Sequence, residues 1–93
     1  MSVRRMLPNR RTNVSFGFEC EGHHYRATAS RFADGALGEL FLNTGKPSTT
    51  LRSNAETSAV LVSLLLQHGV PPKVIAHSIA GPIKIALEMA VQS

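Results

Sequence analysis

Residues 13–31, NVSFGFECEGHHYRATASR, decide the fold. Val14, Phe16, Phe18 and Cys20 alternate with Ser15, Gly17 and Glu19, the period of two expected of a half-buried strand. Glu21-Gly22 then offers a two-residue turn, with glycine free to adopt a positive φ. A turn there fixes a register: Cys20 faces His23, Phe18 faces Tyr25, Phe16 faces Ala27 and Val14 faces Ala29. Nearly every residue on that face is apolar, while Ser15, Gly17, Glu19, His24, Arg26, Thr28 and Ser30 collect on the other. Two segments agreeing on one register predict a β-hairpin.

Moving toward the C-terminus, Asp34-Gly35 marks a second turn, and ALGELFL (36–42) reads as a third strand. Its alternation puts Ala36, Gly38, Leu40 and Leu42 on one face and Leu37, Glu39 and Phe41 on the other. Residues 43–51 read as a loop. Ser53-Asn54-Ala55-Glu56 has the spacing of a capping box and predicts a helix from there to about His68, ended by Gly69. Most of that helix is apolar, with Glu56, Ser63 and Gln67 as its polar stripe. This predicts a helix buried on most sides, either centrally or in a dimer interface. Pro72 and Pro82 suit the first turns of two further helices, over 72–78 and 82–91. The last carries two apolar stripes, Ile83/Leu87/Ala90 and Ile85/Met89. The order βββααα predicts an α+β domain: a three-stranded antiparallel sheet with three helices on one face.

Toward the N-terminus, MSVRRMLPNRRT (1–12) has no periodicity and contains Pro8, so it reads as a basic, disordered tail ahead of a single domain over 13–93. The chain has 93 residues, room for one domain. A chain of this size buries only ~60–65% of its unfolded surface. The net charge of +4 is concentrated at this end. Residues 1–31 hold six arginines against Glu19 and Glu21, whereas the acids and bases of 32–93 balance.

Few residues suggest chemistry. There is one cysteine, so no internal disulfide can form. With no signal peptide in view, this predicts a reducing, cytoplasmic setting. The longest apolar run is far short of the ~20 residues of a membrane span, so no membrane partner is expected. The hairpin places Cys20 beside His23, a weak metal pair, since a structural zinc site takes four ligands and no second cysteine exists. No phosphate-binding glycine loop, paired carboxylates or catalytic triad can be traced, and no catalytic residue or cofactor is expected. The remaining candidates are binding residues. Arg4, Arg5, Arg10, Arg11, Arg26 and Arg31 form a basic set suited to nucleic acid. Phe32, Leu37 and Phe41 either share the outer sheet face with His24 and Arg26, or are turned into the core by a bulge near Asp34-Gly35. The bulge is the favoured reading.

Three segments together carry a family resemblance: FADGALGELFLNTGK (32–46), AVLVSLLLQHGVPPKVI (59–75) and GPIKIALEM (81–89). They resemble the TSCPD domain, found at the C-terminal end of adenosylcobalamin-dependent ribonucleotide reductases and as short free-standing proteins. The resemblance implies an α+β accessory or regulatory domain that works by binding a protein partner, a reductase chain or its own copy, in DNA precursor synthesis. Ribonucleoside-diphosphate reductase activity would attach to it by association only. The family's Thr-Ser-Cys-Pro-Asp motif, whose cysteine is credited with metal binding, falls on Ile79-Ala80-Gly81-Pro82-Ile83. Only Pro82 matches. Gly81 stands where the cysteine would be and Ile83 where the aspartate would be, so the resemblance implies no metal site here.

Overall fold

The computed structural model describes residues 3–7, 12–45 and 49–93. Three strands, β1 (Thr12–Cys20), β2 (His23–Arg31) and β3 (Leu37–Thr44), are followed by three helices, α1 (Thr49–Gln67), α2 (Pro72–Ser78) and α3 (Pro82–Gln92). The sheet is antiparallel in the order β1-β2-β3. This is the α+β arrangement the element order implies.

The hairpin has the expected register from Cys20↔His23 to Val14↔Ala29. Its turn puts both central residues at positive φ, Glu21 at 52° and Gly22 at 79°. That geometry matches the twist of the flanking strands and explains glycine at the second position. On the inward face, Tyr25, Ala27 and Ala29 of β2 meet Leu40 and Leu42 of β3. Ala55, Ala59, Val62 and Leu66 of α1 and Ile83, Ala86, Leu87 and Ala90 of α3 complete the core. α1 packs along β3, and α3 crosses β2 and β3. β1 lies beyond the helices, so Phe16, Phe18 and Cys20 are half-buried and Val14 is exposed.

The third strand departs from simple alternation. Ser30 pairs with Glu39 and Arg31 with Leu37, which leaves Gly38 as an extra residue in β3. This bulge reverses the side to which Leu37 points, and Leu37 is buried. Phe32 is buried as well, whereas Phe41, beyond the bulge, stays 51% exposed. The favoured bulge reading therefore holds for Phe32 and Leu37 and fails for Phe41. Gly38 is needed here because Phe32 lies against it: a Cβ on residue 38 would sit 2.6 Å from Phe32 Cε2.

Two expectations about α1 are corrected. The helix begins at Thr49, so Ser53-Asn54-Ala55-Glu56 lies inside it and does not cap it. Leu51 packs against the core one turn before Ala55, and this added apolar contact carries the helix back past Ser53. The polar stripe is also split: Glu56 stays exposed. Ser63 and Gln67 are buried, at 7% and 4% exposure, while Val60, Leu61 and Leu65 face outward.

The buried pair has a physical cause. β3 is an edge strand, and its outward backbone groups need partners. Leu40 N–H donates to Ser63 Oγ at 2.9 Å, and the Ser63 hydroxyl donates to Leu40 O at 2.9 Å. Gln67 Nε2 donates to Gly38 O at 3.0 Å. The helix thus supplies side chains where a fourth strand would supply backbone.

Candidate interaction surfaces

Three of the four described arginines of the basic set, Arg4, Arg5 and Arg31, are engaged within the fold. Residues 3–7, in the stretch expected to be a tail, lie against the end of β3 and the end of α1. Arg5 N–H donates to Gln67 O at 2.6 Å, and Arg4 Nε donates to Gln67 Oε1 at 2.5 Å. The Arg5 guanidinium sits 3.8 Å above the Phe32 ring and pairs with Asp34 at 3.0 Å. Asp34 is held below the usual carboxylate pKa, first by the Ala36 amide and then by Arg5. Arg31 reaches the carbonyls of Gly35 at 2.7 Å and Ala90 at 2.8 Å, so it caps the negative end of α3. Arg10 and Arg11 lie outside the described residues.

Arg26 is different. It stands in mid-strand on the outward face, between Gly17 of β1 and Asn43 of β3. With Glu19, His24, Gly45 and Arg52 it lines an open basin of about 630 Å³. Glu19 is engaged by His24 at 2.9 Å, and among the described residues neither Arg26 nor Arg52 has an ion-pair partner. Phe41 lies beside this basin in a groove shared with Arg26, Glu56 and Val60. Arg52 escaped the sequence reading because 43–51 was expected to be a loop and the helix to begin after it. Of the candidates Arg4, Arg5, Arg26, Phe32 and Phe41, the structure brings Arg26 and Phe41 together on the open face. It places Arg4, Arg5 and Phe32 in a separate cluster at the end of β3.

Cys20 and His23 face each other at the end of the hairpin, as the register requires. Cys20 is a free thiol, and His23 Nδ1 is buried without a hydrogen-bond partner among the described residues. Phe18 stacks on Tyr25 with ring centroids 5.5 Å apart. Burial pushes the Tyr25 hydroxyl above its ordinary pKa, aided by Cys20 and Glu21. Among the described residues no group of three His, Cys, Asp or Glu side chains is placed to hold a metal ion, and no helix is long and apolar enough to cross a membrane. At the position of the TSCPD motif, Gly81 precedes α3, Pro82 opens it and Ile83 is buried in the core.

Comparison with known proteins agrees with the family resemblance. The TSCPD domain model matches residues 2–86. A vitamin B12-dependent ribonucleotide reductase of Streptantibioticus cattleyicolor is 36% identical over 69 residues, which is 74% of this chain and 12% of that protein. The enzyme of the same name from Bradyrhizobium diazoefficiens is 37% identical over 71 residues, 76% of this chain and 6% of that protein. The Rhodopirellula baltica enzyme is 28% identical over 74 residues, or 80% of this chain and 7% of its own length. No solved structure gives a significant match. The chain thus spans about a tenth or less of the curated relatives it matches, and it belongs to the TSCPD domain family.

Proposed function

We propose that this chain is a non-catalytic accessory or regulatory module that works by binding a protein partner, a ribonucleotide reductase chain, in deoxyribonucleotide synthesis. One observation carries the reading: most of the chain matches a small fraction of much longer reductases. A module of that proportion corresponds to a part that works beside a catalytic body. The lone free thiol of Cys20 fits a reducing, cytoplasmic setting. Exposed apolar residues available to such a partner include Val60, Leu61 and Leu65 of α1 and Phe41 of β3. The test is affinity capture of the tagged chain from its native cell. Enrichment of a reductase chain, lost in a Leu61→Glu variant that still folds, supports the reading. Capture that enriches no reductase chain defeats it.

A second reading, nucleic-acid binding, is favoured by Arg26 and Phe41 on the open sheet face, with Arg52 of α1 lining the same basin as Arg26. Arginines there would meet phosphates, and Phe41 would offer a ring for base stacking. Fluorescence anisotropy with single- and double-stranded oligonucleotides at ~50 mM salt tests it, since phosphate contacts strengthen at low salt. Binding that weakens in Arg26→Ala supports it, and no binding removes it.

A further inference from the structure

We infer that β1 is a homodimerisation edge, through which two copies join their sheets into one six-stranded antiparallel sheet. The inference is independent of the reductase reading. It starts from hydrogen-bond parity. In a hairpin closed by a two-residue turn, Cys20 and His23 exchange both backbone bonds, and the pattern alternates from there. The N–H and C=O groups of Thr12, Val14, Phe16, Phe18 and Cys20 therefore point to β2. Those of Asn13, Ser15, Gly17 and Glu19 point away from it. Among the described residues nothing accepts or donates to these outward groups.

Native edges are ordinarily guarded by lysine, proline, a bulge or a covering element. Among the described residues β1 has none of these. It runs for nine residues, contains neither Lys nor Pro, and pairs with β2 without a register shift. Its single charge is Glu19. The inward row is left open, with Phe16 and Phe18 half-buried and Val14 exposed, because the helices pack on β2 and β3.

The strand is complementary to itself. Antiparallel pairing about a two-fold axis at Phe16 sets Val14 against Phe18 of the second copy and Asn13 against its Glu19. Ser15 meets Gly17. Apolar residues face apolar residues, and no like charges are opposed. The outward groups of both copies then form about eight backbone hydrogen bonds, two for each bonded pair. Because the axis is perpendicular to the sheet, both helical layers stand on the same side. Val14, Phe16 and Phe18 of the two copies line the floor between them.

Two measurements test this. Sedimentation equilibrium should give a dimer, and two substitutions should weaken self-association by roughly tenfold or more. Ser15→Pro removes an outward N–H that β2 does not use. Val14→Lys puts a charge opposite Phe18 from an exposed position. Amide hydrogen exchange on the unaltered chain supplies a readout that needs no variant. Asn13, Ser15, Gly17 and Glu19 amides should be protected at dimer-forming concentration and lose protection on dilution, while those of Val14, Phe16 and Phe18 stay protected. A monomer at high concentration overturns the inference. So does a dimer whose Asn13, Ser15, Gly17 and Glu19 amides exchange as freely as those of an open strand, which would place the interface elsewhere.

Discussion

β3 and β1 are the two edges of one sheet, and their unpaired backbone meets different fates. At β3 the outward groups of Leu40 and Gly38 are taken by Ser63 and Gln67, buried side chains of α1. At β1 the outward groups of Asn13, Ser15, Gly17 and Glu19 find nothing among the described residues. The difference follows from where the helices lie. α1 runs beside β3, and an edge brought against a helix must be satisfied there because water is excluded. β1 projects past the helical layer, where water or another strand can serve it. One edge is a structural seam and the other is open among the described residues.

The largest test of this contrast is side-chain truncation on the two strands. Leu40 is fully buried, so Leu40→Ala should lower unfolding free energy by about 3 kcal/mol in urea titration. Val14→Ala on β1 should cost the monomer less than ~1 kcal/mol, because Val14 is already exposed. Equal losses would mean that β1 is as firmly built in as β3. Gly38→Ala is next. Its new Cβ would press on Phe32, and a loss of about 2 kcal/mol is expected from the forced shift.

The paired serines are a finer test. Ser63→Ala leaves both the N–H and the C=O of Leu40 without their partner, at about 1.5 kcal/mol. Ser15 makes an exposed hydroxyl contact with Thr28, so Ser15→Ala should stay within ~0.5 kcal/mol. The smallest effect concerns the end of β3. Asp34 has its pKa lowered in the fold by the Ala36 amide and Arg5, so its contribution is complete above its unfolded value of 3.8. It fades as the pH falls below that value. Urea midpoints of the native chain and Asp34→Asn should therefore converge in acid. Curves that stay parallel would show that the contact with Arg5 and Ala36 adds no stability.

Much of the fold is legible in the residues themselves. The hairpin register can be written from Glu21-Gly22 and two alternating rows, because a two-residue turn leaves the chain no other pairing that keeps its apolar side chains together. The short helices begin at Pro72 and Pro82, since proline fits the first turn and does not fit the interior. The interaction surface is harder to read. Arg4, Arg5 and Arg31 count as free cations in a sequence, yet each finds its partner far along the chain, at Gln67, Asp34 and Ala90. Arg26 keeps its outward place because strand alternation alone sets it there.

The sequence by itself determined the α+β order, the hairpin with its inward and outward rows, and the family membership, carried by residues 32–46, 59–75 and 81–89. Tertiary structure decided which side of α1 faces in. Periodicity counts Ser63 and Gln67 as a solvent stripe and Val60, Leu61 and Leu65 as core. The open backbone of β3 reverses that count, because an unsatisfied edge strand attracts polar side chains from a helix packed beside it. That demand arises in another element, more than 20 residues earlier in the chain, and no local pattern within α1 records it.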